Sequence, residues 1–225
     1  YSSNQFLNHS AVNPVFSFMS SFERTAGDNC EYKLLDEKVC ASIMKGLYNT
    51  ESTDVDTLLN TRRPNVLIVI MEGCGGEFTE LGNHPEAMPN LNRMANEGVY
   101  FTNCYGNSYR TDRGTVSILS GYPSFPTISV MKIPSKSRTL PSIARCLTKE
   151  GYATDFLYGG DIDFTNMRSY LLSTGYQHIF SKENYTAAEQ KTSKWGVRDE
   201  ITFETLYNNI IHRKNTPWLS TFLTL

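Results

Sequence analysis

From Val66 to Met71 the chain is an unbroken apolar run dominated by β-branched residues, and it is followed at once by Glu72. A run with no polar alternation reads as a strand buried on both faces, the usual state of a central strand in a parallel sheet. It is far too short to cross a bilayer, and no other apolar stretch is longer. Gly73 and Gly75-Gly76 stop it.

Strand and helix signals alternate from there on. Pro89 stands where a first helical turn would start, Leu91, Met94 and Ala95 share a face, and Gly98 closes the segment. Residues 99–105 read as a second strand. Residues 111–119 read as a helix stopped near Gly121, and residues 139–149 as another, with Leu140, Ile143, Ala144 and Leu147 inward. Residues 152–158 form a strand, residues 198–212 a long helix, and residues 218–225 a last apolar strand. This order predicts an α/β fold: a mainly parallel sheet with helices on both faces.

Residues 1–62 differ. Asn13-Pro14 followed by Val15, Phe16, Phe18, Met19 and Phe22 suggests a short helix, and residues 34–47 a second one. Residues 50–57 are polar and read as a loop. The division is therefore a helical lead-in over 1–62, packing on a main domain over 63–225. The chain starts at Tyr1 without an initiating Met and stops at the end of an apparent buried strand, so a longer parent protein is expected.

Hydrophobic residues at 40% and charged residues at 20% exclude a disordered chain. A net charge of −2 without a basic run gives no footprint for nucleic acid. The cysteines, Cys30, Cys40, Cys74, Cys104 and Cys146, are odd in number and form no CxxC pair, which argues against a disulfide framework or a structural zinc site. Cys30 and Cys40 could still pair in an exported domain. Cys74 reads as a packed thiol.

Ligands of open parallel sheets sit beyond the carboxyl ends of the strands. Glu72 directly follows the first strand there, and the loop from Gly106 to Arg110 leads to Thr111. A carboxylate and a hydroxyl converging at such a place suit a hard divalent cation. A threonine hydroxyl needs a base or a metal to become a nucleophile, and the start of a helix attracts anions, so the pair points to phosphoryl chemistry. Two plainer readings stand beside this: Thr111 as an ordinary helix cap and Glu72 as a solvated loop carboxylate. Arg110 and Arg113 flank Thr111 and could grip phosphate, or Arg113 could serve a surface ion pair. His84, His178 and His212 read as surface or structural residues. Trp195-Gly196 either lines the cleft or anchors its loop.

Several stretches together resemble the sulfatase-like branch of the alkaline phosphatase superfamily. Arg63 through Glu72 is similar to its opening strand. Pro89-Asn90-Leu91-Asn92 resembles a helix start of the family, and Gly98 through Tyr105 the strand after it. Arg110 through Thr115, followed by Leu119-Ser120-Gly121-Tyr122-Pro123, is similar to its nucleophile helix, while Leu140 to Ile143 and Gly151 to Thr154 resemble the next helix and strand. Within that branch the likeness is to lipoteichoic-acid-synthase-like phosphoglycerol transferases, whose segment after the membrane helices resembles Val12 through Phe18.

The resemblance implies a C-terminally truncated sulfatase-like catalytic domain. It implies Thr111 as catalytic residue, Glu72 and Thr111 as metal ligands, and Arg110, Arg113 and Tyr158 near the substrate. It implies one divalent ion (manganese, zinc or magnesium) whose remaining ligands, an Asp-His pair, lie beyond Leu225. It also implies a phospholipid or envelope-glycan substrate and a parent protein anchored on the extracytoplasmic face of a bacterial inner membrane through segments absent here. The activity implied is transfer of a phosphoryl-linked alcohol, of phosphoglycerol or phosphoethanolamine type, from a lipid donor through a phosphothreonine. The alternatives are a phosphodiesterase or sulfatase-like hydrolase, or a domain that has lost catalysis and binds or senses.

Three departures bear on this. Thr111-Asp112-Arg113-Gly114 lacks the C/S-x-P-x-R pattern that yields formylglycine in sulfatases. No Asp-His dipeptide occurs in the chain. Where phosphoglycerol transferases place His, Trp and Arg, this chain has Tyr158, Thr165 and Met167, with Arg168 adjacent, so the usual phosphate-gripping arginine is missing.

Overall fold

The computed structural model describes residues 13, 15, 16, 19, 35–47, 58–79, 82–125, 128–213 and 217–225. They divide into two compact units, Tyr1–Leu58 and Leu59–Leu225.

In the first unit, Val15, Phe16 and Met19 are helical, and the Asn13 carboxamide oxygen accepts from the amides of Val15 and Phe16 at 3.0 and 3.1 Å. Helix α1, Glu37–Leu47, is started by Asp36, whose carboxylate accepts from the Lys38 amide at 2.9 Å. Leu34, Pro14, Phe18, Phe22, Cys30 and the expected loop at 50–57 lie outside the described residues.

The second unit is built on four parallel strands: β1 Val66–Ile70, β2 Ala153–Tyr158, β3 His178–Phe180 and β4 Trp218–Leu223, in the spatial order β1-β4-β2-β3. Side chains alternate across the sheet. Phe156, Leu219 and Leu223 face a core completed by Val116, Leu119, Ala144, Tyr170 and Leu171. These come from helices α3 Thr111–Ser120, α5 Ile143–Lys149 and α6 Met167–Ser173. A short helix α4, Pro134–Ser137, precedes α5. Leu157 and Phe222 face the other way and meet Leu206 and Ile210 of α7, Asp199–Ile211. The expected parallel sheet with helices on both faces is what the chain forms.

Three expectations need correction. First, β1 is not buried on both faces. It is an edge strand of this sheet: Val66, Ile68 and Ile70 pack on the core, but Leu67 and Val69 are 44% and 39% exposed. An apolar run reports a preference for burial, not the presence of a cover. Second, residues 99–105 form no strand. A strand needs a backbone partner, and none of the described residues pairs with this segment, which leaves Phe101 and Tyr105 exposed. Helix α2 before it, Pro89–Glu97, forms as expected, yet Met94 is exposed. Third, α5 starts at Ile143, not at 139. Pro141 disfavours helical backbone in the residue before it, and Ser142 then caps the helix by accepting from the Arg145 amide at 3.1 Å.

Candidate active site

Parallel strands end together, so the residues just past their ends share one rim. Ile70, Leu223 and Tyr158 lie level in neighbouring strands. Thr224 fastens this rim: its amide donates to the Ile70 carbonyl at 3.0 Å, and its hydroxyl accepts from the Glu72 amide at 2.7 Å. Glu72 is thereby held just past the end of β1.

Thr111 comes from the other side as the first residue of α3. Its Oγ1 donates to Glu72 Oε2 at 2.8 Å. The capping position belongs to Arg110, whose side chain makes no capping bond, so the Thr111 hydroxyl does not serve the helix's own amides. The first intrahelical bonds are made by the amides of Arg113 and Gly114 to the Arg110 carbonyl. That leaves the amides of Thr111 and Asp112 at the electropositive end of the helix, beside the hydroxyl. The plainer reading of Thr111 as a cap does not hold. Asp112 is buried and faces Lys132 Nζ at 3.7 Å.

Glu72 and Thr111 line an open cleft of about 650 Å³, together with Arg110, Tyr158, Thr165 and Met167. Tyr158 is held by glycines. A side chain on Gly160 would come within 2.4 Å of the Tyr158 ring, and one on Gly159 within 2.3 Å of the Val197 carbonyl. Burial pushes the Tyr158 phenol above its ordinary 10.0, and the carboxylates of Glu72, Asp161 and Asp199 add to this. At neutral pH it is therefore a hydrogen-bond donor. Thr165 and Asn166 take left-handed backbone with φ of 62° and 63°. For a β-branched residue this is strained, on the order of 1–3 kcal/mol, and such strain gathers where a loop is shaped for a ligand.

The other anticipated residues fall elsewhere. Arg113 lines a separate small recess with Val116, Tyr122 and Phe125, and its Nε is buried without a partner. Arg168 is engaged by Asp163 and Glu183 at 2.8 and 2.9 Å. His84 meets Glu86 at 3.3 Å, and the Cys74 thiol lies 3.5 Å from the Met88 sulfur. Trp195 does line the cleft. So do Asp161, Lys182, Lys194 and Thr224, which no sequence pattern singled out. The doublet Gly159-Gly160 just past a buried strand was the available signal for a crowded turn there.

Two hard oxygens 2.8 Å apart at the open end of a parallel sheet fit part of the ligand set of a hard divalent cation. They do not complete one: among the described residues no group of three His, Cys, Asp or Glu converges. Likewise, among the described residues no helix is long and apolar enough to cross a membrane.

The family model described as Sulfatase matches residues 64–225. The chain is 24% identical over 176 residues to phosphoglycerol transferase I of Xanthomonas campestris, covering 73% of this chain and 25% of that protein. It therefore spans about a quarter of that relative's length. Among solved structures, a protein of the alkaline phosphatase superfamily from Vibrio parahaemolyticus superposes with a TM-score of 0.73 at 27% identity, covering 85% of this chain and 49% of that one. The lipoteichoic acid synthase LtaP from Listeria monocytogenes gives 0.64 at 16% identity, covering 72% and 40%, and shows the shared fold.

Proposed function

The chain belongs to the sulfatase family, and from that premise we propose that it carries the nucleophile-bearing part of a phosphotransferase site. The reaction is transfer of a phosphoryl-linked alcohol, of phosphoglycerol or phosphoethanolamine type, from a lipid donor to an envelope glycan or lipid through a phosphothreonine on Thr111. The observation that carries the reading is the 2.8 Å hydrogen bond from the Thr111 hydroxyl to Glu72 at the first turn of α3.

In the first half-reaction Thr111 Oγ1 bonds to phosphorus, the ester bond to the lipid oxygen breaks, and the Thr111 proton passes along the hydrogen bond to Glu72 and on to that leaving oxygen, which departs as the alcohol. In the second, an acceptor hydroxyl attacks phosphorus, the bond to Thr111 Oγ1 breaks, and the acceptor's proton passes by way of Glu72 to Thr111. The unpaired amides at the start of α3 and the Tyr158 phenol are the donors available to the phosphoryl oxygens. Thr111 and Glu72 would hold a divalent ion with further ligands. Such an ion, when bound, screens the charge of the phosphoryl group and lowers the proton affinity of the hydroxyl.

Sulfate-ester hydrolysis is the weaker reading, because threonine has no route to formylglycine. The resemblance to lipoteichoic-acid-synthase-like transferases favours a location on the outer side of a bacterial inner membrane, close to a lipid donor. The test is turnover by the full-length protein of bis-nitrophenyl phosphate against nitrophenyl sulfate. Diester cleavage that exceeds sulfate cleavage and disappears in Thr111→Ala supports the proposal. Sulfate cleavage in excess, or diester cleavage untouched by Thr111→Ala, removes it.

A further inference from the structure

Arg168, next to the cleft residue Met167, is committed to Asp163 and Glu183. Besides Arg110, the cleft is lined by two further cations. Lys182 lies in the turn that follows β3, and Lys194 in the loop before α7. Lys182 is half-buried and makes no salt bridge or side-chain hydrogen bond among the described residues. Lys194 has its ammonium 5.3 Å from the centre of the Trp195 ring. Lys182 is part-buried along its stem and Lys194 is exposed, and neither ammonium is paired with a carboxylate among the described residues, so both are free to meet an anionic ligand in the cleft.

Both lysines are held by rigid backbone. The Lys182 amide donates to the Gly160 carbonyl at 3.3 Å, and the Val197 amide to the Gly159 carbonyl at 2.9 Å. Ser193 closes the intervening loop, its hydroxyl accepting from the amides of Trp195 and Gly196 at 3.1 and 3.3 Å. The same glycine pair therefore fastens the Tyr158 turn, the Lys182 turn and the Lys194 loop to one another. In the strand order β1-β4-β2-β3, Glu72 and Lys182 stand at opposite edges, three strand spacings or about 14 Å apart. Both line the one cleft.

We propose that Lys182 and Lys194 form an anion seat for a second negatively charged group of the substrate, phosphate in chemical class, at the β3 side of the cleft and apart from the phosphoryl group that reacts at Thr111. This rests on the phosphotransferase reading and adds that the substrate carries two anionic groups. The second group belongs either to the donor lipid surface or to a phosphate-bearing acceptor glycan.

The test separates binding from turnover. Full-length protein carrying Thr111→Ala is titrated with hexanediol bisphosphate and with hexyl phosphate, read by the fluorescence of Trp195, with Trp195→Phe identifying its share of the signal. The bisphosphate binds about tenfold tighter or better, as one added charge-assisted contact gives. The preference collapses in the Lys182→Met, Lys194→Met pair and persists in the Lys182→Arg, Lys194→Arg pair, with thermal melting showing that both fold. No preference in the parent, or the same preference in the Met pair, overturns the seat. Titration with water-soluble dihexanoyl phosphatidic acid distinguishes the source. Binding weakened in the Met pair assigns the second anion to the lipid. Binding unchanged, with the bisphosphate preference lost, assigns it to the glycan. Because turnover is blocked throughout, the seat can fail while Thr111 remains the nucleophile, and the reverse.

Discussion

Thr111 gives its hydroxyl to a neighbouring strand's carboxylate when its own helix offers uncapped amides. That choice is what distinguishes a reactive hydroxyl from a capping one. Substitution should separate the two roles. Thr111→Val keeps the shape, removes the oxygen and abolishes turnover; since no amide loses a cap, thermal stability stays within a few degrees, as for a surface change of about 0.5 kcal/mol. Glu72→Gln retains an oxygen to accept the hydrogen bond but loses the charge. A fall in kcat of about a hundredfold or more is expected, the size seen when one electrostatic partner of a reacting group is removed. Melting curves and steady-state kinetics on the full-length protein check both. A Thr111→Val variant that melts far lower with turnover intact would return the residue to a capping role.

Of the elements, β2, β4, α2, α3 and α7 were legible, because each has a period and a stop that local chemistry explains. Gly121, with φ of 62°, closes α3 as a glycine beyond a helix should. Residues 99–105 and the outer face of β1 were misread for one reason: apolar pattern registers a demand for burial, and whether a partner meets it is a tertiary fact. The Glu72–Thr111 meeting was expected from the rule that consecutive strands and their loops end on one rim, but residues 99–105 are no strand, so the right pair was reached through a premise the structure does not supply. The lysines of the cleft were not expected, since Lys182 and Lys194 stand in polar loops with no local pattern and converge only through the glycine hub. That hub makes its own prediction. Gly159→Ala puts a side chain 2.3 Å from the Val197 carbonyl oxygen, where backbone would have to yield, and should destabilise by about 1–3 kcal/mol in denaturant unfolding. Gly160→Ala meets the far end of the Tyr158 ring at 2.4 Å and should cost less stability, because the ring can turn away, while displacing the phenol. A Gly159→Ala variant as stable as the parent would show that the turn is looser than described.

At the scale of the whole second unit, the core includes phenols that must stay neutral. Tyr170 is fully buried, and its hydroxyl pairs with Ser120 Oγ at 2.6 Å. Burial pushes its pKa from 10.0 up to about 12. Tyr176 is raised by burial as well, against the opposing hydrogen bond to Thr221. A folded-state pKa above the unfolded one means that the unfolded chain ionises first. The stabilisation is complete below about pH 10 and is lost as pH climbs through the folded value. For Tyr170 alone this is about 2–3 kcal/mol. Urea unfolding at about pH 9 and about pH 11.5 should show the decline, and Tyr170→Phe should remove that residue's share. An unchanged midpoint across this range would contradict the burial described.

The chemistry attributed to this cleft requires that phosphorus be bonded, for a time, to one oxygen of the protein. The direct measurement is peptide mass spectrometry of the full-length protein, quenched during turnover of a glycerophospholipid and compared with an unreacted sample. The account predicts a phosphoryl-alcohol adduct on the peptide containing Thr111, assigned to that residue by fragmentation and missing from Thr111→Val. Turnover with no adduct there, or with the adduct on another residue, would contradict it.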